Sequence, residues 1–194
     1  MKYNEKTILT DCDGVLLDWE NSFHAWMAEH GYERQVPGVY EMEVAYGMTK
    51  AESKTLVKHF NESAWMCCLP ALRDARSGVA KLLEAGYKFV CITSLSLDPY
   101  AKQLRMENLD TVFGEGAISE LICLDTGADK DDALEPYRDS GLYWLEDKTE
   151  NGKLGADIGL NTVLISHAHN VDCEDDRITK VDNWAQVCDI ILNP

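Results

Sequence analysis

The chain reads as an α/β protein: a Rossmann-like parallel sheet with helices on both faces, plus a small helical unit inserted after the first strand. Three observations predict this. From residue 87 onward, short apolar runs alternate with helix-length stretches, the pattern of parallel strands joined by crossover helices. One more apolar run, "TILTDC" at 7–12, stands alone near the N-terminus. Between them lies a long, mostly helical and aromatic stretch that interrupts the alternation. The predicted division is a sheet domain over 1–17 and 78–194, and an inserted helical unit over 18–77.

Taken in order, residues 7–12 form a buried strand. Over 20–30, Phe23, Trp26 and Met27 share one helical face, and Gly31 follows as a stop. Residues 32–48 look irregular. The tetrad Thr49-Lys50-Ala51-Glu52 fits a capping box and opens a helix to about Phe60. A return segment covers 61–72, then a helix over 73–85 ends at Gly86. Strands follow at 87–94, 119–125, 142–147 and 161–166. Helices fall at 98–109, 130–139, 150–156 and 182–192. "DCEDD" at 172–176 reads as a solvated acidic loop.

The net charge of −16 disfavours a polynucleotide partner, because such binding rests on Lys and Arg contacts to phosphate. A small anion stays feasible where a cation and local donors overcome the field. The seven cysteines have irregular spacing and no CxxC pair, so the usual zinc and redox signatures are absent. No apolar run approaches membrane-spanning length and no apolar leader precedes "ILTDCDG". The expectation is a soluble, cytoplasmic protein with reduced thiols and no membrane contact; monomer and homodimer fit the charge equally.

The chemistry concentrates at strand ends. Asp11 and Asp13 are two apart at the end of the first strand, so they face one space if the strand geometry persists. Gly14 lets the backbone turn away. Paired carboxylates there need a cation or a shared proton, and Mg²⁺ suits them. The second strand ends in Thr93 and Ser94, whose hydroxyls and N–H groups can hold phosphate oxygens. Lys130 follows the third strand, and Glu146-Asp147 ends the fourth. Each has a bland reading: turn, helix cap, solvated lysine, loop start. All four together at the carboxyl edge of a parallel sheet, where such sheets bind ligands, point to a site. His167 and His169 suggest a hydrogen-bonded turn rather than a metal pair, because no third ligand is evident.

This order of motifs resembles the haloacid dehalogenase (HAD) superfamily of phosphatases, and the insertion resembles that superfamily's helical cap. "ITS" at 92–94, "DK" at 129–130, "EDK" at 146–148, "SHAHN" at 166–170 and "DNWAQV" at 182–187 are similar to the 5′(3′)-deoxyribonucleotidase family. That family carries Asp where this chain has Glu146. The resemblance implies a Mg²⁺-dependent phosphomonoester hydrolase acting on a small phosphorylated metabolite, a nucleoside monophosphate. Asp11 would attack phosphorus and form an aspartyl phosphate. Asp13 would protonate the leaving alkoxide and then take a proton from water. Mg²⁺ would be held by Asp11, Asp147 and the backbone carbonyl of Asp13, with Glu146 helping through water. Thr93, Ser94 and Lys130 would hold the phosphate, and Trp65 would stack on the base. The alternatives are a HAD phosphatase for another small phosphoester, such as a sugar phosphate, and a non-catalytic relative that binds a phospholigand.

Overall fold

In the computed structural model, which describes residues 3–193, the sheet is built around β1 (Thr7–Thr10). Its parallel neighbours are β2 (Lys88–Thr93) and β4 (Tyr143–Glu146), outside which lie β3 (Ile118–Cys123), β5 (Asn161–Ile165) and β6 (Ile178–Val181). The order is β3-β2-β1-β4-β5-β6. Successive residues of β1 separate two cores. Ile8 joins the larger one with Phe89, Cys91, Leu145 and Trp184; Leu9 joins the smaller with Val90, Ile92, Trp144 and Leu134. Helices α4 (Ala75–Glu84), α5 (Pro99–Phe113) and α8 (Trp184–Leu192) serve the first face, while α6 (Asp131–Leu134) and α7 (Thr149–Asp157) pack on the other.

The expected strands all form, and a sixth joins them. β6 was missed because only Ile178 and Val181 of its four residues are buried, with Thr179 and Lys180 facing outward. A short edge strand carrying Lys is how sheets blunt an open edge, and it leaves little periodicity to read. The helix expected over 130–139 shortens to α6 plus a 3-10 turn at Glu135–Tyr137, since Pro136 cannot donate to a helical ladder.

The insertion carries α1 (Trp19–Glu29), α2 (Met42–Tyr46) and α3 (Lys50–Asn61), then a 3-10 turn at Ala64–Cys67. The Thr49–Glu52 capping box is complete. α2 lies in the stretch expected to be irregular. The chain leaves and returns through two adjacent segments: Leu17 bridges Ala71, Asp18 N–H donates to Pro70 at 2.9 Å, and Leu72 N–H to Leu16 at 2.8 Å. α4, including its residues 75–77, packs with the sheet domain, where Gly78 meets Trp184. Phe23, Trp26, Met27 and Phe60 share one continuous core with the sheet, so the cap does not bury a separate interior. Among the described residues no helix is long and apolar enough to cross a membrane.

Candidate active site

The strand order places a topological switch between β1 and β4: the chain runs outward from them in opposite directions, and the crevice above such a point is where open α/β sheets take ligands. Asp11 follows β1, and Glu146-Asp147 ends β4. Oxygens of Asp11, Glu146 and Asp147 lie within 4.8 Å of one another.

Lys130 sits between two of them. Its Nζ is 2.8 Å from Asp11 Oδ2 and 2.8 Å from Glu146 Oε1. The ammonium also lies 5.1 Å from the Trp144 ring centroid, in reach of a cation–π attraction. Burial alone would lower the Lys130 pKa, but the two carboxylates hold it well above the ordinary value. Glu146 has the fuller set of donors around it. Its Oε1 also accepts from Asn151 (2.6 Å), and its Oε2 from the N–H groups of Asp147 (2.6 Å) and Lys148 (2.8 Å). Burial pushes its carboxyl up; Lys130 and those donors pull it below the usual value. Asp11 is less well supplied, accepting from Cys12 N–H at 2.7 Å besides Lys130. Burial pushes its carboxyl far up, against Lys130, and Glu146, Asp147 and Asp13 add to the rise. Asp147 is also raised by burial, against the pull of His169, whose Nε2 is 3.3 Å from Oδ2.

Gly14 makes this packing possible. Its φ is +78°, and a Cβ there would lie 2.3 Å from Asp147 Oδ2, closer than any contact allows. His167 Nε2 lies 2.7 Å from the Gly14 carbonyl, and Asn170 donates to the carbonyls of Asp147 (2.6 Å) and Ile165 (2.8 Å). The turn after β5 thus clasps both loops of the cluster. The sequence marked His167 and His169 as a turn; the part played by Asn170 was not read from it.

The remaining candidates divide. The Thr93 hydroxyl is buried and has no hydrogen-bond partner, a group waiting for an acceptor. The Ser94 hydroxyl is already committed to Ala128 O at 2.7 Å, which ties the loop after β2 to the one before α6. Trp65 is half-buried and packs against the larger core, 6.2 Å from Phe60 between ring centroids. The exposed Tyr40 ring lies against His169, with centroids 4.7 Å apart, and His169 in turn contacts Asp147. The Asp13 side chain lies apart from the three clustered carboxylates and is paired with Arg105 of α5. Arg105 was not foreseen. The signal was present: Ala101, Leu104, Arg105 and Asn108 form the buried stripe of α5, and an arginine on such a stripe needs a partner.

No family model and no curated protein matches the sequence. Solved structures do match. A predicted phosphatase from Clostridium acetobutylicum is similar at a TM-score of 0.68 and 12% identity, over 97% of this chain and 98% of that one. A haloacid dehalogenase-like hydrolase from Streptococcus pneumoniae gives 0.65 and 13%, over 93% and 95%. A D,D-heptose bisphosphate phosphatase from B. bronchiseptica, complexed with magnesium and phosphate, gives 0.61 and 13%, over 96% and 97%. What is shared at such identities is architecture: this chain has the α/β fold of the haloacid dehalogenase-like hydrolases.

Proposed function

We propose that the chain is a Mg²⁺-dependent phosphomonoester hydrolase working through an aspartyl phosphate on Asp11. The observation that carries this reading is the surplus of buried negative charge at the switch point. Asp11 and Asp147 are both pushed up by burial with too few donors around them, a state a hard divalent cation relieves. The donor set fits Mg²⁺, since one or two carboxylates leave the remaining positions to water and phosphate. Asp11 and Asp147 would hold the ion. Glu146, whose oxygens each accept two bonds already, acts through the field and by fixing Lys130. When bound, the cation stabilises charge on the phosphoryl oxygens.

The protein's own groups do the rest. An Asp11 oxygen attacks phosphorus; the bond to the ester oxygen breaks, and that oxygen leaves with the electron pair and takes a proton from Asp13. Water then attacks the aspartyl phosphate, gives its proton to Asp13 and frees Asp11. Lys130 and the unpartnered Thr93 hydroxyl hold phosphoryl oxygens as charge develops.

For the substrate we favour a nucleoside monophosphate, preferably deoxy, on the motifs similar to the deoxyribonucleotidases. Trp65 is the stacking ring the motifs suggest, and Tyr40, whose ring lies against His169, is a second candidate for a base contact. A sugar phosphate is the second reading, favoured by the likeness to the heptose bisphosphate phosphatase. The test is phosphate release from nucleoside monophosphates, sugar phosphates and p-nitrophenyl phosphate, with Mg²⁺ and with EDTA, beside Asp11→Asn. Metal-dependent release that the variant loses by about a thousandfold or more is expected. Turnover unchanged in Asp11→Asn would overturn the mechanism.

A further inference from the structure

Arg105 is the most deeply buried cation near the site and has no part in the mechanism above. It is 0% exposed, and Asp13 is the one carboxylate it pairs with among the described residues. One Nη contacts Asp13 Oδ1, and the other is 3.3 Å from Oδ2, so the guanidinium fork meets the carboxylate with two bonds. The same two nitrogens reach Cys12 Sγ at 2.9 Å, beside the nucleophile, and Met66 Sδ at 3.1 Å, in the turn returning from the cap. The Nε finds no partner. A buried ion pair is a poor way to gain stability, since apolar residues of the same volume do as well or better. An arginine kept here at that cost calls for a role beyond packing.

We infer that Arg105 is a positioning residue for Asp13: its fork fixes the carboxylate so that the oxygen edges away from the guanidinium face the leaving group and the attacking water. This rests on the phosphatase reading. Asp13 enters the first step protonated on the edge away from the guanidinium; as the P–O bond breaks the proton passes to the ester oxygen, and Arg105 pairs with the carboxylate left behind. An alkyl leaving group needs that proton; p-nitrophenolate does not. Arg105 therefore matters to formation of the aspartyl phosphate from alkyl esters and hardly to its formation from aryl esters.

The experiment compares kcat/KM for an alkyl phosphate, glycerol 2-phosphate or the best monoester found, with kcat/KM for p-nitrophenyl phosphate. Arg105→Met is expected to lower the alkyl value by about tenfold to a hundredfold more than the aryl value, a fraction of the usual worth of a general acid. Arg105→Lys should recover part of the difference. In an Asp13→Asn background, Arg105→Met should change the ratio no further. Equal loss on both esters, or an undiminished effect in the Asp13→Asn background, overturns the inference and leaves the phosphatase reading standing. A wild type inactive on both esters removes that reading and this inference with it. Should Arg105→Met fail to fold, as circular dichroism would show, the same ratio in Arg105→Lys decides: an unchanged ratio despite a measurable loss of rate counts against positioning.

Discussion

Gly14 shows how one residue without a side chain can hold a site together. It has three jobs that no other residue does at once. It turns the chain at φ +78°, it offers its carbonyl to His167, and it leaves room for the Asp147 carboxylate. Alanine there would carry about 1 kcal/mol of left-handed backbone strain, which the fold can absorb. The more specific effect is that the new methyl must displace Asp147, since the two would overlap at 2.3 Å. Gly14→Ala is therefore expected to keep its circular dichroism spectrum and lose about tenfold to a hundredfold in Mg²⁺ affinity, the range seen when support for a ligand is lost. Calorimetric titration with Mg²⁺ checks this, and unchanged affinity would show that Asp147 is not placed by this contact. At this scale the sequence was most readable where chemistry and strand ends coincide. Asp11, Glu146, Asp147 and Thr93 all stand where parallel strands end, because the sheet itself sets their positions, and Lys130 stands at the start of the helix that follows β3. Tyr40 and Arg105 were missed, since their surroundings are set by how the cap and α5 pack, which has no short-range signature.

At the scale of elements, α7 offers a contrast within one helix. Gly152 and Gly155 both face the sheet. A Cβ at Gly152 would meet Leu164 Cδ1 at 3.4 Å, an ordinary contact, whereas one at Gly155 would lie 2.4 Å from Trp144 Cδ1 and 2.8 Å from Thr162 Oγ1. Alanine favours a helix over glycine by about 1 kcal/mol, so Gly152→Ala should be neutral or slightly stabilising. Overpacking costs about 1–3 kcal/mol, so Gly155→Ala should lower stability despite the same propensity gain. Urea midpoints of the two variants test the pair; equal shifts would mean that α7 moves away from β4 freely. The damage has a functional edge too, because Trp144 flanks Lys130. Strands and helices with a strong apolar period were legible, as β2, β5 and α8 show. β6 and α2 were not. Each is four or five residues long with only two of them buried, too short for a period to rise above composition. Their positions follow from closing the sheet edge and the cap, decisions made by tertiary contacts.

The whole molecule carries a net charge of −16 and gathers three buried carboxylates at one point, so its stability should couple to pH and to metal together. Asp11 and Asp147 are raised above the ordinary 3.8. Between that value and their raised ones, the folded chain binds more protons than the unfolded chain, so stability falls as pH rises through the interval. Glu146 works the other way: lowered from 4.5, it contributes stability above that value and loses it only in stronger acid. With EDTA present, the melting temperature should therefore decline as pH rises from the ordinary carboxylate value of 3.8 through the raised ones. General repulsion among the acidic side chains acts in the same direction, and Asp147→Asn separates the two, since it removes one raised group and should flatten the decline. Mg²⁺ binds the ionised carboxylates, so its affinity should climb with pH by about tenfold per pH unit for each proton displaced. Its stabilisation of the folded chain should grow accordingly. Thermal melts across this range, with EDTA and with excess Mg²⁺, measure both slopes at once. A Mg²⁺ effect that is constant with pH, or largest in acid, would mean that the cation binds on the acidic surface rather than at the carboxylates between β1 and β4. The active-site reading of the cluster would then lose its strongest support.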